Sequence, residues 1–205
     1  MKDSRVGGAV FLMVGTESRK WMHKTFKPGS RDSAVANIKK PMSTIRPATP
    51  EDFSAIKALN DAVVALTSPM DVSRIASLHA ISCYHRVVEE GGTVSAFLLV
   101  FGPASGYDSP YYQWFDQRYD DYAYIDRIVV RDRAQGQGRM LYENLFSWAG
   151  QREVRYIVCE YNAEPLNEVS RKFHAALGFK EISIEKLSAA KQVSMQLKAL
   201  KALDE

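Results

Sequence analysis

The sequence predicts a mixed α/β domain, and three local patterns support this fold class. An apolar run at residues 124–130, rich in β-branched residues, leads through a glycine turn into an amphipathic helix that ends near Gly150. Two other apolar runs, near 84–89 and 93–101, flank Gly91-Gly92, a typical hairpin dipeptide. The chain of 205 residues is 46% apolar and 25% charged, which is ordinary for a globular domain.

The elements before the glycine turn follow from capping signals and periodicity. Ile45 and Arg46 begin a short strand. Residues 49–52 read Thr-Pro-Glu-Asp, which combines an N-cap, a first-turn proline and an acidic residue three positions on. They predict a helix that runs to about Leu66, and a shorter helix is predicted over 71–79. After the hairpin, residues 102–121 lack periodicity and are predicted to form a long loop.

The elements after the glycine turn alternate in the same way. A strand is predicted over residues 155–161. A helix follows, with Pro165 in its first turn and Gly178 at its C-terminal cap. The run 179–184 and the alternating apolar residues of 193–197 predict two final strands.

The glycine turn, residues 133–138, reads Arg-Ala-Gln-Gly-Gln-Gly and lies where a helix N-terminus favours a phosphate group. A Walker loop requires Lys and Ser or Thr after its last glycine, whereas Arg139-Met140 follow here. The dinucleotide fingerprint fits in part, because Leu141 occupies its third glycine position and five residues separate Val130 from Gly136.

Two motifs carry a family resemblance. Arg133, Gly136 and Gly138 match Arg/Gln-x-x-Gly-x-Gly/Ala, which resembles the acyl-CoA pyrophosphate loop of the GCN5-related N-acetyltransferases, the GNAT superfamily. Downstream, the segment from Asn167 to Phe179 looks like the last helix of that family and the turn after it. The two motifs occur in the family's order, separated by one helix and one strand.

The resemblance implies the GNAT acyl-CoA fold, a mixed, mostly antiparallel central sheet of about six to seven strands flanked by about four helices. It implies an enzyme that moves an acetyl group from acetyl-CoA to a primary amine by direct attack in a ternary complex, without a metal. The domain would span residues 42–205, and residues 1–41 would be a basic, poorly ordered extension.

The resemblance also implies a set of donor-binding residues. The strand before the glycine turn would offer backbone groups to the pantetheine arm and the thioester carbonyl, and the turn would hold the pyrophosphate on its N–H groups. Asn167 would contact the pantetheine arm, and His174 would face the coenzyme. The remaining predicted donor-binding residues are Ile128, Val129, Val130, Arg133, Gln135, Gly136, Gln137, Gly138 and Arg139.

Three side chains are candidates for proton transfer. Asp126 lies two residues from Ile128 and is expected on the same strand face unless a bulge intervenes. Glu160, at the end of the next strand, is the competing base, and either carboxylate could instead be structural. His174 occupies the position where the family frequently has a tyrosine that protonates the leaving thiolate. An imidazole can do so only when charged, and burial favours its neutral form.

The segment 102–121 mixes aromatic and acidic side chains, a combination suited to a cationic amine. One interpretation is that this loop roofs the acceptor pocket, with Tyr112, Trp114 and Tyr124 as substrate-binding residues. The other is that the aromatic rings fold back onto the sheet.

Charge and cysteine content bound the remaining functions. Residues 1–41 hold nine Lys and Arg against three Asp and Glu, a net charge of +6, so the rest of the chain carries −3. This segment shows no repeated basic-aromatic pattern, and its apolar run Val6–Gly15 is too short for a membrane span, so neither nucleic acid nor membrane is an expected partner. Two cysteines without metal-ligand spacing favour a cytoplasmic protein. No His or Asp is placed by sequence to activate Cys159 as a nucleophile.

Other functions stay open at this level. A catalytically silent acyl-CoA-binding or regulatory module is the main alternative, since the tyrosine is missing. A Rossmann-type dinucleotide enzyme is a distant one. The acceptor is a small-molecule or peptide amine of unspecified identity. The last strand and the tail are available to pair in a homodimer.

Overall fold

The computed structural model describes residues 11–13, 43–64, 67–131, 136–188 and 191–200. Within these ranges it contains eight strands, five α-helices and a short 3-10 turn at Pro50–Asp52. The strands are β1 Phe11–Met13, β2 Ser43–Pro47, β3 Tyr84–Glu90, β4 Thr93–Phe101, β5 Tyr122–Val130, β6 Tyr156–Glu164, β7 Lys180–Ser188 and β8 Lys191–Ala199. The helices are α1 Phe53–Asp61, α2 Val72–Ile81, α3 Pro110–Asp116, α4 Gln137–Gly150 and α5 Glu168–Ala176.

The central sheet has the order β2-β3-β4-β5-β6-β8-β7, with β1 beside β5 and off this path. Along the path only β5 and β6 run parallel, and every other neighbouring pair is antiparallel. The predicted mixed, mostly antiparallel sheet of about six to seven strands is therefore confirmed. A dinucleotide-binding domain would instead need a mostly parallel sheet.

Helices cover both faces of the sheet and bury two apolar clusters. One cluster joins α1, α2 and α3 to one face of β5, through residues such as Ile56, Phe115 and Val129. The other joins α4 and the residues after α5 to the opposite face, through residues such as Ile128 and Leu145. Side chains that alternate along β5 therefore point to different helices.

The strands β5 and β6 pair over only a short stretch. Their register runs from Tyr122 opposite Tyr156 to Tyr124 opposite Val158, although both strands continue for six further residues. Beyond Tyr124, β5 has β4 on one side, and at its end β1 pairs with its other edge. The sheet is thus open between β5 and β6 at the end that leads to the glycine turn.

Three local predictions were wrong. The predicted loop 102–121 contains α3, which starts at Pro110 after Ser109 and is only seven residues long, too short to show a repeating apolar stripe in the sequence. The helix predicted to include Pro165 begins only after Asn167, which caps it. The helix predicted to reach Leu66 ends as α1 at Asp61, and Leu66 itself lies outside the described residues.

Within the described ranges, no helix is both long enough and apolar enough to cross a membrane.

The predicted domain boundary between residues 41 and 42 stays a prediction, as does the homodimer.

Candidate active site

The glycine turn leads directly into α4. Gly136 precedes this helix with a φ of +72°, a left-handed conformation that glycine adopts without strain. The first helical hydrogen bond of this turn joins the Met140 N–H to the Gly136 carbonyl at 3.0 Å, so the N–H groups of residues 137–139 lack intrahelical acceptors. These three N–H groups can bind an anion. Arg133 and Gln135 lie outside the described residues.

Side chains at the start of α4 divide between the interior and the solvent. Gln137 and Gly138 are buried, and the buried Gln137 Oε1 has no hydrogen-bond partner among the described residues. Arg139 is exposed and lies 3.4 Å from Glu143 one helical turn on. An exposed pair of this kind contributes little to stability, so Arg139 is available to an anion at the helix start.

The predicted pantetheine-binding residues Ile128, Val129 and Val130 form the end of β5 and are buried. Their antiparallel partners on β4 are Leu98, Phe97 and Ala96. Because a strand's backbone groups alternate between its two edges, the remaining groups point toward the open side of the sheet. On that side the described structure places β1.

A β-bulge lies at Asp126. Leu99 pairs with Arg127 and Val100 pairs with Ile125, so Asp126 has no partner on β4. The Asp126 carboxylate accepts a hydrogen bond from Tyr107, which packs in the cluster of α1 to α3, whereas Ile128 packs in the opposite cluster. The bulge that the expectation allowed for is therefore present, and the extra residue shifts the alternation so that Asp126 and Ile128 lie on opposite faces.

Asp126 is fully buried among groups that partly compensate its charge. The Tyr107 hydroxyl donates to Oδ1 at 2.7 Å, and Arg127 Nε lies 3.7 Å from Oδ2. Oδ2 makes no hydrogen bond to a described residue. Burial raises the pKa of Asp126, opposed by the Arg127 charge and the Tyr107 hydrogen bond. A carboxylate with one free oxygen and a raised pKa is suited to accept a proton.

Arg127 connects β5 to α1 and to the segment that follows it. Its guanidinium donates to Asn60 Oδ1 at 2.6 Å, the Ser68 carbonyl at 2.9 Å and the Ser68 hydroxyl at 2.8 Å. The residue is 1% exposed. Sequence reasoning missed this network and the role of Tyr107, because their partners lie 19 to 67 residues apart and no spacing relates them.

The competing carboxylate, Glu160, is also buried on β6. It accepts a hydrogen bond from the Tyr124 hydroxyl at 3.0 Å. Tyr124 packs in the same apolar cluster as Tyr107. Asp126 and Glu160 therefore lie on one side of the sheet, near the point where the β5–β6 pairing ends.

His174 lies on the other side of the sheet, buried on α5. Nδ1 is 2.8 Å from the Ser170 carbonyl, which can only accept, so Nδ1 carries the hydrogen. Nε2 then accepts from the Tyr142 hydroxyl at 2.8 Å. Burial lowers the pKa of His174 to about 4. A neutral imidazole with both nitrogens engaged is not arranged to protonate a thiolate.

This burial predicts a pH dependence of stability. The unfolded His174 takes up a proton near its ordinary pKa of 6.5, whereas the folded residue stays neutral down to about 4. The free energy of unfolding should therefore fall as the pH falls from about 7 to about 4, with about 3 kcal/mol from this residue. Urea unfolding of His174→Phe should give a flatter pH profile. An unchanged slope would show that the folded imidazole titrates normally.

Asn167 caps α5, because its side-chain oxygen accepts from the Ser170 N–H at 3.0 Å. Its buried Nδ2 has no hydrogen-bond partner in the part of the chain that the structure describes. A buried amide donor without a partner is costly unless something binds it, so Nδ2 is available to a ligand carbonyl.

The three predicted acceptor-binding residues differ in their surroundings. Tyr112 and Tyr124 are buried, and the Tyr112 hydroxyl lies 2.9 Å from the Gly102 carbonyl and accepts from the Ser105 N–H at 2.8 Å. Trp114 is partly exposed, with the Arg118 guanidinium 4.2 Å from its ring centre. Most rings of α3 thus pack on the sheet, while the nearby hydroxyls of Ser109 and Tyr111 are buried without described hydrogen-bond partners.

Cys159 is buried, and burial raises the pKa of its thiol well above the ordinary value, which disfavours a nucleophilic thiolate. Among the described residues, no group of three or more His, Cys, Asp or Glu side chains is arranged to hold a metal.

The open sheet and the glycine turn at the start of α4 define an acyl-CoA-dependent acetyltransferase fold. The acetyltransferase (GNAT) family model matches residues 54–179, more than half of the chain, so the chain belongs to that family. No curated protein sequence matched the chain.

Solved structures with the same fold include three from bacteria. The ribosomal-protein-S18-alanine N-acetyltransferase of Escherichia coli is 19% identical, with a TM-score of 0.62 over 80% of this chain and 97% of that one. An N-acetyltransferase of Staphylococcus aureus Mu50 is 26% identical, with a TM-score of 0.59 over 78% and 99%. The protein yncA of Salmonella typhimurium, solved with its cofactor acetyl-CoA, is 20% identical, with a TM-score of 0.60 over 80% and 96%.

Proposed function

We propose that this chain transfers an acetyl group from acetyl-CoA to a primary amine by direct attack, with both substrates bound together. The observation that carries the proposal is the bulge on β5, which buries Asp126 beside the strand edge predicted to hold the thioester. The amine nitrogen attacks the carbonyl carbon and the C–S bond breaks. The neutral amine loses one proton to Asp126, and the released coenzyme A thiolate takes up a proton from solvent, so coenzyme A leaves as the thiol.

The donor is bound mainly by backbone groups. The free N–H groups at the start of α4 hold the pyrophosphate, and the Asn167 Nδ2 and the edge of Ile128–Val130 hold the pantetheine arm. An N–H on this edge also stabilises the oxyanion that forms during attack. No side chain needs to change charge for the donor to bind.

Asp126 accepts the proton of the attacking amine. Tyr107 holds one carboxylate oxygen, so the free Oδ2 is directed to the amine or to a water that touches it. Glu160 has its own tyrosine partner and serves to attract a cationic amine to this side of the sheet. His174 acts structurally, because both ring nitrogens are occupied.

Two measurements test this proposal. Isothermal titration should show binding of acetyl-CoA and none of NAD. Thiol release over a panel of amines should then reveal at least one primary-amine acceptor and no turnover of its tertiary analogue, which has no proton to lose.

A silent acyl-CoA-binding module is the second candidate, favoured by the absence of an acid at the His174 position. Such a module would bind acetyl-CoA, and no amine in the panel would raise thiol release above the background.

A further inference from the structure

The N-terminal strand β1 lies on the same backbone edge that the proposed donor needs. Phe11, Leu12 and Met13 pair in parallel with Ile128, Val129 and Val130, respectively. At this level β5 no longer pairs with β6, and β1 also lies against α5. It therefore occupies the opening between β5 and the last helix.

A strand edge can serve one extended partner at a time. Each backbone N–H has one hydrogen, and each edge carbonyl in the opening faces a single neighbour. An added peptide strand gains its affinity from these main-chain hydrogen bonds. The pantetheine arm, which also carries amide groups, would use the same N–H and C=O groups of Ile128–Val130.

We propose that residues 11–13 act as an intramolecular competitor of acyl-CoA, so that the extension regulates access of the donor to its site. The inference rests on the proposed function, since it assumes that the pantetheine arm binds the β5 edge. When β1 is paired, only the open fraction of molecules binds the donor. The apparent dissociation constant rises as the inverse of that fraction.

Among the described residues the pairing covers three positions, so we expect a modestly favoured closed state that the donor can displace. Removing the competition should therefore tighten donor binding by a limited factor, about three- to tenfold. The maximal turnover rate should stay the same, because saturating acetyl-CoA displaces β1 completely.

The test uses the full chain with two adjacent prolines, Leu12→Pro with Met13→Pro. Proline has no N–H and is excluded from paired strand positions, so this variant cannot form the β1–β5 ladder. The matched control, Leu12→Ala with Met13→Ala, keeps both N–H groups. Isothermal titration with coenzyme A should give about three- to tenfold tighter binding for the proline variant than for the unmodified chain or the alanine control.

Hydrogen exchange without ligand provides a second readout that does not depend on coenzyme A. Amides of Ile128–Val130 that point toward β1 should exchange faster in the proline variant than in the alanine control. Equal coenzyme A affinity in all three proteins would overturn the inference and leave the proposed function intact. Failure of all three to bind coenzyme A would overturn the proposed function and this inference with it, whatever the exchange rates.

Discussion

Replacement of Asp126 by Asn is expected to lower kcat/KM for the amine by about 10²- to 10³-fold, the usual contribution of a positioned general base. The affinity for acetyl-CoA should stay nearly unchanged, because the donor is held by backbone groups of β5 and α4. The amide keeps the hydrogen bond from Tyr107 but cannot accept the proton. Steady-state kinetics together with titration of acetyl-CoA measure the two effects separately.

The pH profile of kcat/KM distinguishes a catalytic base at Asp126 from a purely structural carboxylate. Because burial raises the pKa of Asp126, the acid limb of kcat/KM should lie above the ordinary carboxylate range. Tyr107→Phe removes the hydrogen bond that favours the ionised form, so the limb should shift further toward high pH. If the profile of the Phe variant overlaid that of the unmodified protein, Asp126 would not be the titrating base.

Asp116→Asn is a matched control on the same side of the sheet. The Asp116 carboxylate accepts from the Tyr122 hydroxyl at 2.6 Å and from the Ala104 N–H at 2.9 Å, and these contacts hold the segment around α3 to β5. This substitution should lower the Tm, whereas kcat should change by less than about threefold. A loss of kcat as large as that of Asp126→Asn would point to general destabilisation instead of catalysis.

Arg127→Met is expected to cost about 3–5 kcal/mol in the free energy of unfolding, among the largest effects of any single substitution here. The guanidinium is buried, and its removal takes one donor each from the Asn60 oxygen, the Ser68 carbonyl and the Ser68 hydroxyl. It also leaves the Asp126 charge without its partner. Urea unfolding at neutral pH measures the change directly.

Two further variants separate the loss of the buried Arg127–Asp126 pair from the loss of an arginine in general. Arg74→Met removes an exposed arginine paired with Asp108 and should cost less than about 1 kcal/mol. The double change of Arg127→Met with Asp126→Asn should cost clearly less than the sum of its parts, because the uncompensated charge is removed. Strict additivity would mean that the two side chains do not interact.

The fold could be predicted well because its signals are local. The strand Thr93–Phe101 and the turn into α4 follow from β-branched runs, hairpin glycines and helix periodicity within a few residues. The helix α3 was missed although Ser109 and Pro110 are start signals, because its seven residues form only two turns and its apolar pattern does not repeat.

The candidate site could be predicted only in part. Asp126 and Glu160 were predicted from their places on strands beside the glycine turn, and the structure buries both on one side of the sheet. Their environment was not, since Tyr107 reaches Asp126 from a separate segment and the bulge depends on the register between β4 and β5. Register depends on both paired strands, so the sequence of one strand alone does not determine it.

The division of the sheet into two faces has a consequence for the diversification of this enzyme. In the proposed function, donor recognition rests on main-chain atoms of β5 and α4, which every replacement except proline retains, whereas the buried hydroxyls of Ser109 and Tyr111 lie on the face proposed for the acceptor. Acceptor preference can therefore drift by ordinary point substitution without a compensating change for the donor. A library randomised at Ser109 and Tyr111 should yield altered amine selectivity among clones that all retain acetyl-CoA binding.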